Sequence, residues 1–246
     1  MKIILTGATG YIGHEVLDQC IKHNFISHIY VLTRRTLDAK YATHKKVTQV
    51  IHEGFNEWPD YLLQKLKGYG VQGCIWCLGP SMKVVKDIDD ARRVGVHYPI
   101  VAAEALAKYV APEMMETQTG RNIQPFRFVF ISGAGATQNP FASLWVRADT
   151  RKIKGAAEKG LLDIAEQSEE VDGKKCFKVF ALRASDVIPG GRAMSTIMYM
   201  GTGQYIAVDI LARISIKIVL DGHEKTILEN TDCLGDDWAD VNSLAF

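Results

Sequence analysis

The segment TGATGYIG near the start of the chain constrains the fold more than any other feature of the sequence. Its glycines are Gly7, Gly10 and Gly13; an apolar β-branched run at 2–6 precedes them and a helical pattern at 12–23 follows. Glycines in this spacing permit a tight turn out of a strand, close approach of backbone N–H groups to a phosphate, and close packing of a helix on a sheet. The segment therefore predicts a strand, a phosphate-binding turn and a helix whose N-terminus attracts anions.

The remainder of the chain alternates between short apolar runs and longer amphipathic runs. The predicted strands are 2–6, 28–33, 47–51, 73–78, 126–132 and 177–183. The predicted helices are 12–23, 61–67, 99–110, 147–168 and 206–220. Runs that are apolar on both faces are typical of buried parallel strands, and their alternation with helices indicates βαβ units. We predict an α/β fold, a Rossmann-type doubly wound parallel sheet with helices on both faces.

The same pattern predicts one dinucleotide-binding domain over 1–246, with a long polar loop at 111–125. The segments 184–205 and 229–246 are predicted to lie on the substrate side or to cap the site, because ligands of doubly wound sheets bind beyond the carboxyl ends of the strands. Within the first of these segments, the Met-rich run AMSTIMYMGTG at 193–203 suits a small hydrophobic metabolite.

Composition excludes several classes of function. The chain has 246 residues, 47% hydrophobic and 23% charged, with a formal net charge of +1, which is typical of a soluble globular protein. Near-neutral charge gives no electrostatic reason to expect a nucleic-acid partner, and no apolar run is long enough for membrane insertion. The five scattered cysteines predict core thiols at Cys74 and Cys77, no metal site and a reducing, cytoplasmic compartment. We expect a monomer or a homodimer.

The end of the second predicted strand distinguishes between the two nicotinamide dinucleotides. NAD sites place a carboxylate there for the ribose hydroxyls, whereas this strand ends in Thr33, Arg34 and Arg35. Two guanidinium groups and a hydroxyl suit a 2′-phosphate, and no carboxylate is present in this run to repel it. The sequence therefore predicts NADP(H) as the cofactor.

These motifs resemble those of atypical or extended short-chain dehydrogenases/reductases, and more narrowly the family of the HIV-Tat-interacting oxidoreductase homologue. The similarity extends over most of the chain. The matching segments are TGATGYIG, Thr33 to Arg35, Cys77 to Gly79, 94–105, 131–134, Lys154 with Gly155 and Glu158, and 228–230. The resemblance implies one Rossmann-type domain with bound NADP(H), and either a reductase function or a regulatory, protein-binding one.

The resemblance also implies roles for individual residues. The pyrophosphate turn would comprise Gly7, Thr9, Gly10, Tyr11, Ile12 and Gly13. The adenosine phosphate would contact Arg34 and Arg35, and the middle of the cofactor would lie along Leu78 and Gly79. Ser132 corresponds to the catalytic serine and Lys154 to the catalytic lysine, which binds the nicotinamide ribose and lowers the pKa of a catalytic tyrosine.

Two departures from the family pattern affect the catalytic prediction. The tyrosine expected one helical turn before Lys154 is Thr150, and no tyrosine occurs between 110 and 198. A threonine hydroxyl has too high a pKa to replace a phenol directly. The Arg-Pro-Gly expected after the sixth strand is also altered, to Arg183-Ala184-Ser185.

Three functions stay open at this point. In the first, the chain reduces a carbonyl or enone of a small hydrophobic metabolite with NADPH; Ser132 and Lys154 polarise the oxygen, and the proton comes from Tyr98, His97, Tyr199 or water. In the second, it is a redox-silent cyclase, dehydratase or isomerase acting on a polyketide-like metabolite. In the third, it is a non-catalytic NADP-sensing or partner-binding protein. We favour the first, because a substitute donor or a reactive substrate can offset the roughly 10²–10⁴-fold contribution of a general acid.

Overall fold

A computed structural model of the chain describes residues 1–80, 87–118, 123–145, 147–190 and 204–234. Its strands are β1 (Lys2–Thr6), β2 (His28–Thr33), β3 (Val47–Ile51), β4 (Gly73–Trp76), β5 (Phe126–Ile131), β6 (Glu170–Val171), β7 (Lys174–Lys175), β8 (Phe177–Arg183), β9 (Asp186–Ile188), β10 (Tyr205–Ala207) and β11 (Ile227–Glu229). Its α-helices are α1 (Tyr11–Lys22), α2 (Ala39–Ala42), α3 (Asp60–Tyr69), α4 (Ile88–Arg92), α5 (Tyr98–Tyr109), α6 (Ala111–Glu116), α7 (Ala148–Gln167), α8 (Val208–Asp221) and α9 (Asn230–Cys233). A π-helical segment, Arg93–His97, connects α4 to α5.

Seven strands form the central sheet, in the order β11-β8-β5-β4-β1-β2-β3, and every neighbouring pair is parallel. The chain runs outward from β1 to β3 and then returns to β4 on the other side of β1. In doubly wound sheets such a reversal of strand order opens a crevice at the carboxyl ends of the strands, and ligands bind there. The predicted Rossmann-type fold is confirmed.

Helices cover both faces of this sheet. On one face α1 packs against α8, and on the other α5 packs against α7. The side chains of β5 show how one strand serves both layers: Phe128 and Phe130 belong to the core cluster beneath α5, whereas Val129 and Ile131 belong to the cluster beneath α1 and α8. Successive strand residues point to opposite faces, so a strand covered on both sides is apolar throughout. No described helix is both long enough and apolar enough to cross a membrane.

The six predicted strands are all present in the sheet. Four of them, β1, β2, β3 and β8, have the predicted bounds, and the other two end one or two residues early. The seventh strand, β11, was not predicted, because three residues are too few to show a periodicity. The antiparallel pair β6–β7 was also missed.

The prediction of a polar loop over 111–125 is wrong in its first half. Helix α6 occupies Ala111–Glu116, and Pro112 lies in its first turn, where the missing N–H needs no helical partner. Met114 and Met115 are buried, so packing stabilises a helix too short to form alone.

The segments predicted to lie on the substrate side are described in part. Strands β9 and β10 pair in parallel, with Tyr205 opposite Asp186. The predicted hydrophobic run 193–203, including Tyr199, lies outside the described residues, as does 235–246. Their role in substrate binding or capping stays a prediction.

Candidate functional site

The glycine turn connects β1 to α1 through close backbone contacts. Gly7 has a φ of 72°, and a Cβ added there would lie 2.6 Å from the carbonyl carbon of Cys77. A Cβ on Gly13 would lie 2.2 Å from the carbonyl oxygen of Gly7. The N–H of Gly10 closes the turn by donating to that same oxygen at 2.8 Å. Side chains at Gly7 or Gly13 would therefore push β1, β4 and α1 apart.

The N-terminus of α1 supplies hydrogen-bond donors to this turn. Gly10 is the N-cap, no described side chain caps the helix, and its first turn contains no acidic residue. The first N–H groups of a helix have no intrahelical partner, and the helix dipole makes this end positive. Tyr11 and Thr9 are exposed and Ile12 is half-buried, so the turn faces solvent on one side only. The arrangement fits the predicted pyrophosphate.

The end of β2 lies beside the glycine turn. Arg35 Nη2 donates to Thr9 Oγ1 at 3.2 Å. Thr33 Oγ1 donates to the Arg35 carbonyl oxygen at 2.8 Å and accepts from the Arg35 N–H at 3.2 Å, which fixes the backbone of this corner. Arg34 and Arg35 are both exposed, and neither forms a salt bridge with any described carboxylate. Two exposed guanidinium groups beside the turn fit the predicted contact with a 2′-phosphate.

Lys154 lies on α7 at the carboxyl end of β5. Its Nζ donates to the carbonyl oxygen of Ile131 at 2.7 Å and lies 4.9 Å from the ring centroid of Phe130. A Cβ added to Gly79 would lie 3.5 Å from Nζ, so this ammonium faces the segment that follows β4. Burial lowers the pKa of Lys154 to about 8, although nearby Glu158 and Cys77 favour the charged form. A perturbed lysine in a crevice is a candidate for a functional group.

Ser132 contacts a buried charge network. Its Oγ donates to Glu158 Oε1 at 2.5 Å. Arg183 donates to Glu158 Oε2 at 2.7 Å and to Glu229 Oε1 at 2.6 Å. Glu158 is fully buried, and Arg183 supplies the compensating charge that a buried carboxylate requires. From the sequence, no role was assigned to Glu158 or Glu229; the signal for both was Arg183, a charged residue at the carboxyl end of a strand in which Lys178 is the other charged residue.

A cavity of about 380 Å³ opens beside Lys154. The ends of β5 and β8, the first turns of α7 and the β9–β10 pair line it. Thr150 and Lys154 share this cavity, as their spacing of one helical turn predicts. Tyr205 lines it as well, and sequence reasoning missed this residue because no local pattern connects 205 with 154. Only the pairing of β9 with β10 brings Tyr205 to this end of the sheet.

The predicted site residues thus form two groups with a bridge between them. Leu78 and Gly79 are the bridge: the Leu78 backbone nitrogen lies 2.8 Å from a Cβ built on Gly7, and Gly79 faces Lys154. Tyr98 begins α5, and its ring lies 6.2 Å from that of Phe55, between centroids, against the core of that face. Tyr98 is not among the described residues that line the Lys154 cavity, and its role as a proton donor stays a prediction.

In the CxxC pair both thiols are free, and Cys77 is half-buried against the core, so the prediction of two core thiols holds fully for Cys74 alone. Cys74 is fully buried, and burial raises the pKa of Cys77 to about 12. The thiolate that metal binding or disulfide exchange needs is therefore suppressed at neutral pH. Among the described residues, no group of His, Cys, Asp or Glu side chains could hold a metal ion.

No protein-family model and no curated protein sequence matches this chain. Proteins of known structure do share its fold. Gre2 from Candida albicans in complex with NADPH is 15% identical, with a TM-score of 0.64 over 93% of this chain and 78% of that one. Yeast methylglyoxal/isovaleraldehyde reductase Gre2 complexed with NADPH is 14% identical, with the same TM-score and coverage. UDP-glucose 4-epimerase from Thermotoga maritima, with UDP-glucose, is 16% identical, with a TM-score of 0.57 over 88% and 72%. At these identities the likeness establishes the fold.

Proposed function

We propose that this protein binds NADP(H) and reduces a carbonyl or enone group of a small hydrophobic metabolite. The observation that carries the proposal is the position of Lys154, whose half-buried side chain places an ammonium at the carboxyl end of β5, where it faces Gly79 and is connected through Leu78 to the glycine turn. A glycine turn suited to phosphate and a half-buried cation in one crevice would meet two requirements of dinucleotide-dependent carbonyl reduction. Two fold neighbours, the Gre2 proteins, bind NADPH, and one is named as a reductase, which supports this reaction class.

The dinucleotide would be held mainly by backbone groups. The N–H groups at the start of α1 would bind the pyrophosphate, and Arg34 and Arg35 would bind the 2′-phosphate. Bound NADPH supplies a hydride, and the protein supplies orientation and electrostatics. Gly79 keeps the crevice open where the cofactor would pass Lys154, because a side chain at that position would face Nζ.

Lys154 would stabilise the negative charge that develops on the substrate oxygen. Its pKa of about 8 keeps it mainly as the ammonium at neutral pH, yet its proton leaves more readily than that of an ordinary lysine. The hydrogen bond to Ile131 fixes Nζ before the reaction begins, so the positive charge is preorganised. Ser132 follows β5 and donates to Glu158, which lies on α7 as Lys154 does. This hydrogen bond would hold α7 against the end of β5.

The proposal is tested by incubating the purified protein with NADPH and either isovaleraldehyde or phenanthrenequinone, with NADPH absorbance and product mass followed together. Carbonyl-dependent NADPH oxidation with a product two hydrogens heavier supports the proposal. A protein that binds NADPH tightly but oxidises it with neither probe would overturn the reductase assignment and favour the sensing or partner-binding function.

A redox-silent cyclase, dehydratase or isomerase is the second candidate. Two observations favour it: Thr150 supplies no phenol to the cavity, and the Ser132 hydroxyl donates to Glu158. Such an enzyme would use the same Lys154 cavity on a polyketide-like metabolite. A product of unchanged mass, or one lighter by a water molecule, formed without NADPH oxidation would support this candidate against the first.

We also propose a cytoplasmic protein that is a monomer or a homodimer. The five cysteines are all free, which agrees with a reducing compartment. Sedimentation equilibrium at several protein concentrations would determine the oligomeric state, and a species larger than a dimer would contradict this part of the proposal.

A further inference from the structure

Among the described residues that line it, the Lys154 cavity has neither the tyrosine nor the serine hydroxyl that the chain's resemblance to dehydrogenases would place there. Thr150 stands where a tyrosine is expected, and its aliphatic hydroxyl is a very weak acid. Ser132 is buried and donates to Glu158. Gly133 and Ala134, which follow Ser132 and do line the cavity, carry no hydroxyl. A carbonyl reduced in this cavity therefore needs its proton from another group.

Tyr205 lines the same cavity as Thr150 and Lys154. A phenol is a much stronger acid than the aliphatic hydroxyls of Thr150 and Ser185, which also line this space. The structure thus brings Tyr205, from a distant part of the chain, into the lining of the Lys154 cavity. It enters from β10 instead of from the turn of α7 that precedes Lys154.

The backbone of Tyr205 is fixed on three sides. It pairs with Asp186 in the β9–β10 ladder. Its carbonyl oxygen accepts a hydrogen bond from Asn230 Nδ2 at 3.3 Å, and the Oδ1 of the same buried Asn230 accepts from the Ser185 N–H at 2.9 Å. The next residue, Ile206, is fully buried. A proton donor has to be held within hydrogen-bond reach of its acceptor, and this anchoring provides a rigid base for the ring.

The charges that line the cavity favour an anionic oxygen. Arg147, Arg151 and Lys154 contribute three cations. Asp186 is the described acidic residue in the lining, and it forms a salt bridge with Arg147 at 2.7 Å. Arg151 donates to the Gly135 carbonyl oxygen at 2.6 Å, which leaves its positive charge without an acidic partner among the described residues. Fixed cations of this kind stabilise the charge that forms on a carbonyl oxygen as it is reduced.

We infer that Tyr205 is the proton donor of the reduction, in place of the tyrosine that Thr150 replaces. This inference rests on the proposed function. Bound NADPH would supply a hydride to the carbonyl carbon and become NADP⁺, and the C=O π bond would break toward oxygen. That oxygen takes the phenol proton of Tyr205, which gives the alcohol and a tyrosinate. The tyrosinate regains a proton from the Lys154 ammonium, and the resulting amine takes a proton from solvent water.

The kinetic test compares Tyr205→Phe with Tyr61→Phe, using whichever of isovaleraldehyde and phenanthrenequinone the wild-type protein reduces. Tyr61 lies exposed on α3 and controls for the loss of a phenol elsewhere. We expect Tyr205→Phe to lower kcat by about 10²–10⁴-fold, the usual contribution of a general acid, with the Kd for NADPH unchanged. Tyr61→Phe should keep the wild-type kcat. Wild-type kcat in folded Tyr205→Phe would overturn the inference and leave the proposed function standing.

A second measurement needs no variant. The wild-type protein is treated with tetranitromethane, with and without NADP⁺ plus the same carbonyl probe, and nitration of each tyrosine is quantified by peptide mass spectrometry. The inference predicts that the probe protects Tyr205 and leaves Tyr61 unprotected. Equal nitration of Tyr205 with and without the probe would overturn it. If the wild-type protein reduces neither probe, the proposed function fails and this inference fails with it.

Discussion

The glycine turn after β1 and the Lys154 cavity at the end of β5 lie on the same edge of the sheet, but they are constructed differently. The turn consists of seven consecutive residues, and its contacts are between backbone atoms: the space beside Gly7 and Gly13 is already filled by neighbouring main chain. The cavity is lined by residues of α7, β9 and β10 and by the residues that follow β5 and β8, which are far apart in sequence. Under the proposed function, the first region would bind the dinucleotide through shape and amide groups, and the second would act through charge and acidity.

From this difference we expect the two regions to tolerate substitutions differently. Backbone recognition requires glycine at fixed positions, because any Cβ at Gly7 or Gly13 collides with main chain. Side-chain chemistry can be supplied from more than one element, provided that the acidic group reaches the same space. Under the proposed function, a threonine at position 150 leaves the glycine turn unchanged, and β10 brings the phenol-bearing residue Tyr205 to the same cavity.

The largest difference between the two regions should appear when the positive charge of Lys154 is removed from the cavity. Lys154→Ala should lower kcat/KM for carbonyl reduction by about 10²–10⁴-fold, because it deletes a preorganised cation at the reacting oxygen. NADPH should still bind, since the turn is unchanged. Lys152→Ala is the matched control, on the same helix but lining a different cavity. Wild-type turnover in Lys154→Ala, measured by NADPH absorbance, would refute the assignment of the site.

The converse experiment alters the turn and spares the cavity. Gly7→Ala places a Cβ 2.6 Å from the Cys77 carbonyl carbon, at a φ of 72°. Gly173→Ala is a matched control, because Gly173 has nearly the same φ, 71°, and a Cβ there meets nothing within 4 Å. Both variants carry backbone strain, so the difference isolates the collision. We expect Gly7→Ala to lose about 1–3 kcal/mol more unfolding free energy in urea titrations, and to bind NADPH more weakly. Equal losses would show that the turn is not closely packed.

We expect the arginines at the end of β2 to determine the preference for NADPH over NADH. Arg35→Ala should weaken NADPH binding by about 10–100-fold, since charge-assisted hydrogen bonds contribute roughly 1.5–3 kcal/mol, and should change NADH binding little. Fluorescence titration with both dinucleotides measures the ratio. Arg92→Ala, which removes an exposed arginine from α4, serves as the control. An equal loss of affinity for NADPH and NADH would contradict the 2′-phosphate contact.

The smallest expected effect is a pH dependence of stability that arises in the cavity alone. The pKa of Lys154 falls from 10.5 to about 8 on folding, so between these values the unfolded chain binds more protons and stability rises with pH. Burial of the ammonium lowers the free energy of unfolding, and this cost is fully present below pH 8 and is lost as the pH approaches 10.5. The cost is at most about 3 kcal/mol. Lys154→Met should therefore be more stable than wild type at pH 7, with a gap that narrows toward pH 10. A gap independent of pH would contradict the burial of this charge.

Sequence alone predicted the turn and the sheet because both depend on local patterns. The spacing of Gly7, Gly10 and Gly13 and the apolar runs of β1, β2, β3 and β8 lie in contiguous stretches, and the structure has them at the predicted bounds. The assignment of Lys154 to the site came from the resemblance to short-chain dehydrogenases/reductases. The sequence did not predict the hydrogen bonds that join Ser132, Glu158 and Arg183, or the position of Tyr205 in the lining of the Lys154 cavity. Both depend on contacts between segments that only the folded sheet brings together. Helix α6 was missed because it is stabilised by the packing of its two buried methionines against the core, and a local sequence pattern does not show that packing.

The most direct test of the central claim, that the crevice between the glycine turn and Lys154 carries out dinucleotide-dependent carbonyl reduction, is transfer of a label. The wild-type protein is incubated with NADPH deuterated at the transferable position of the nicotinamide and with isovaleraldehyde or phenanthrenequinone, and the product is examined by mass spectrometry. The account predicts that the alcohol formed from isovaleraldehyde carries one deuterium on the former carbonyl carbon, and that either probe, when reduced, oxidises a matching amount of NADPH. A rearranged or dehydrated product without deuterium, or no product while NADPH stays bound, would contradict it.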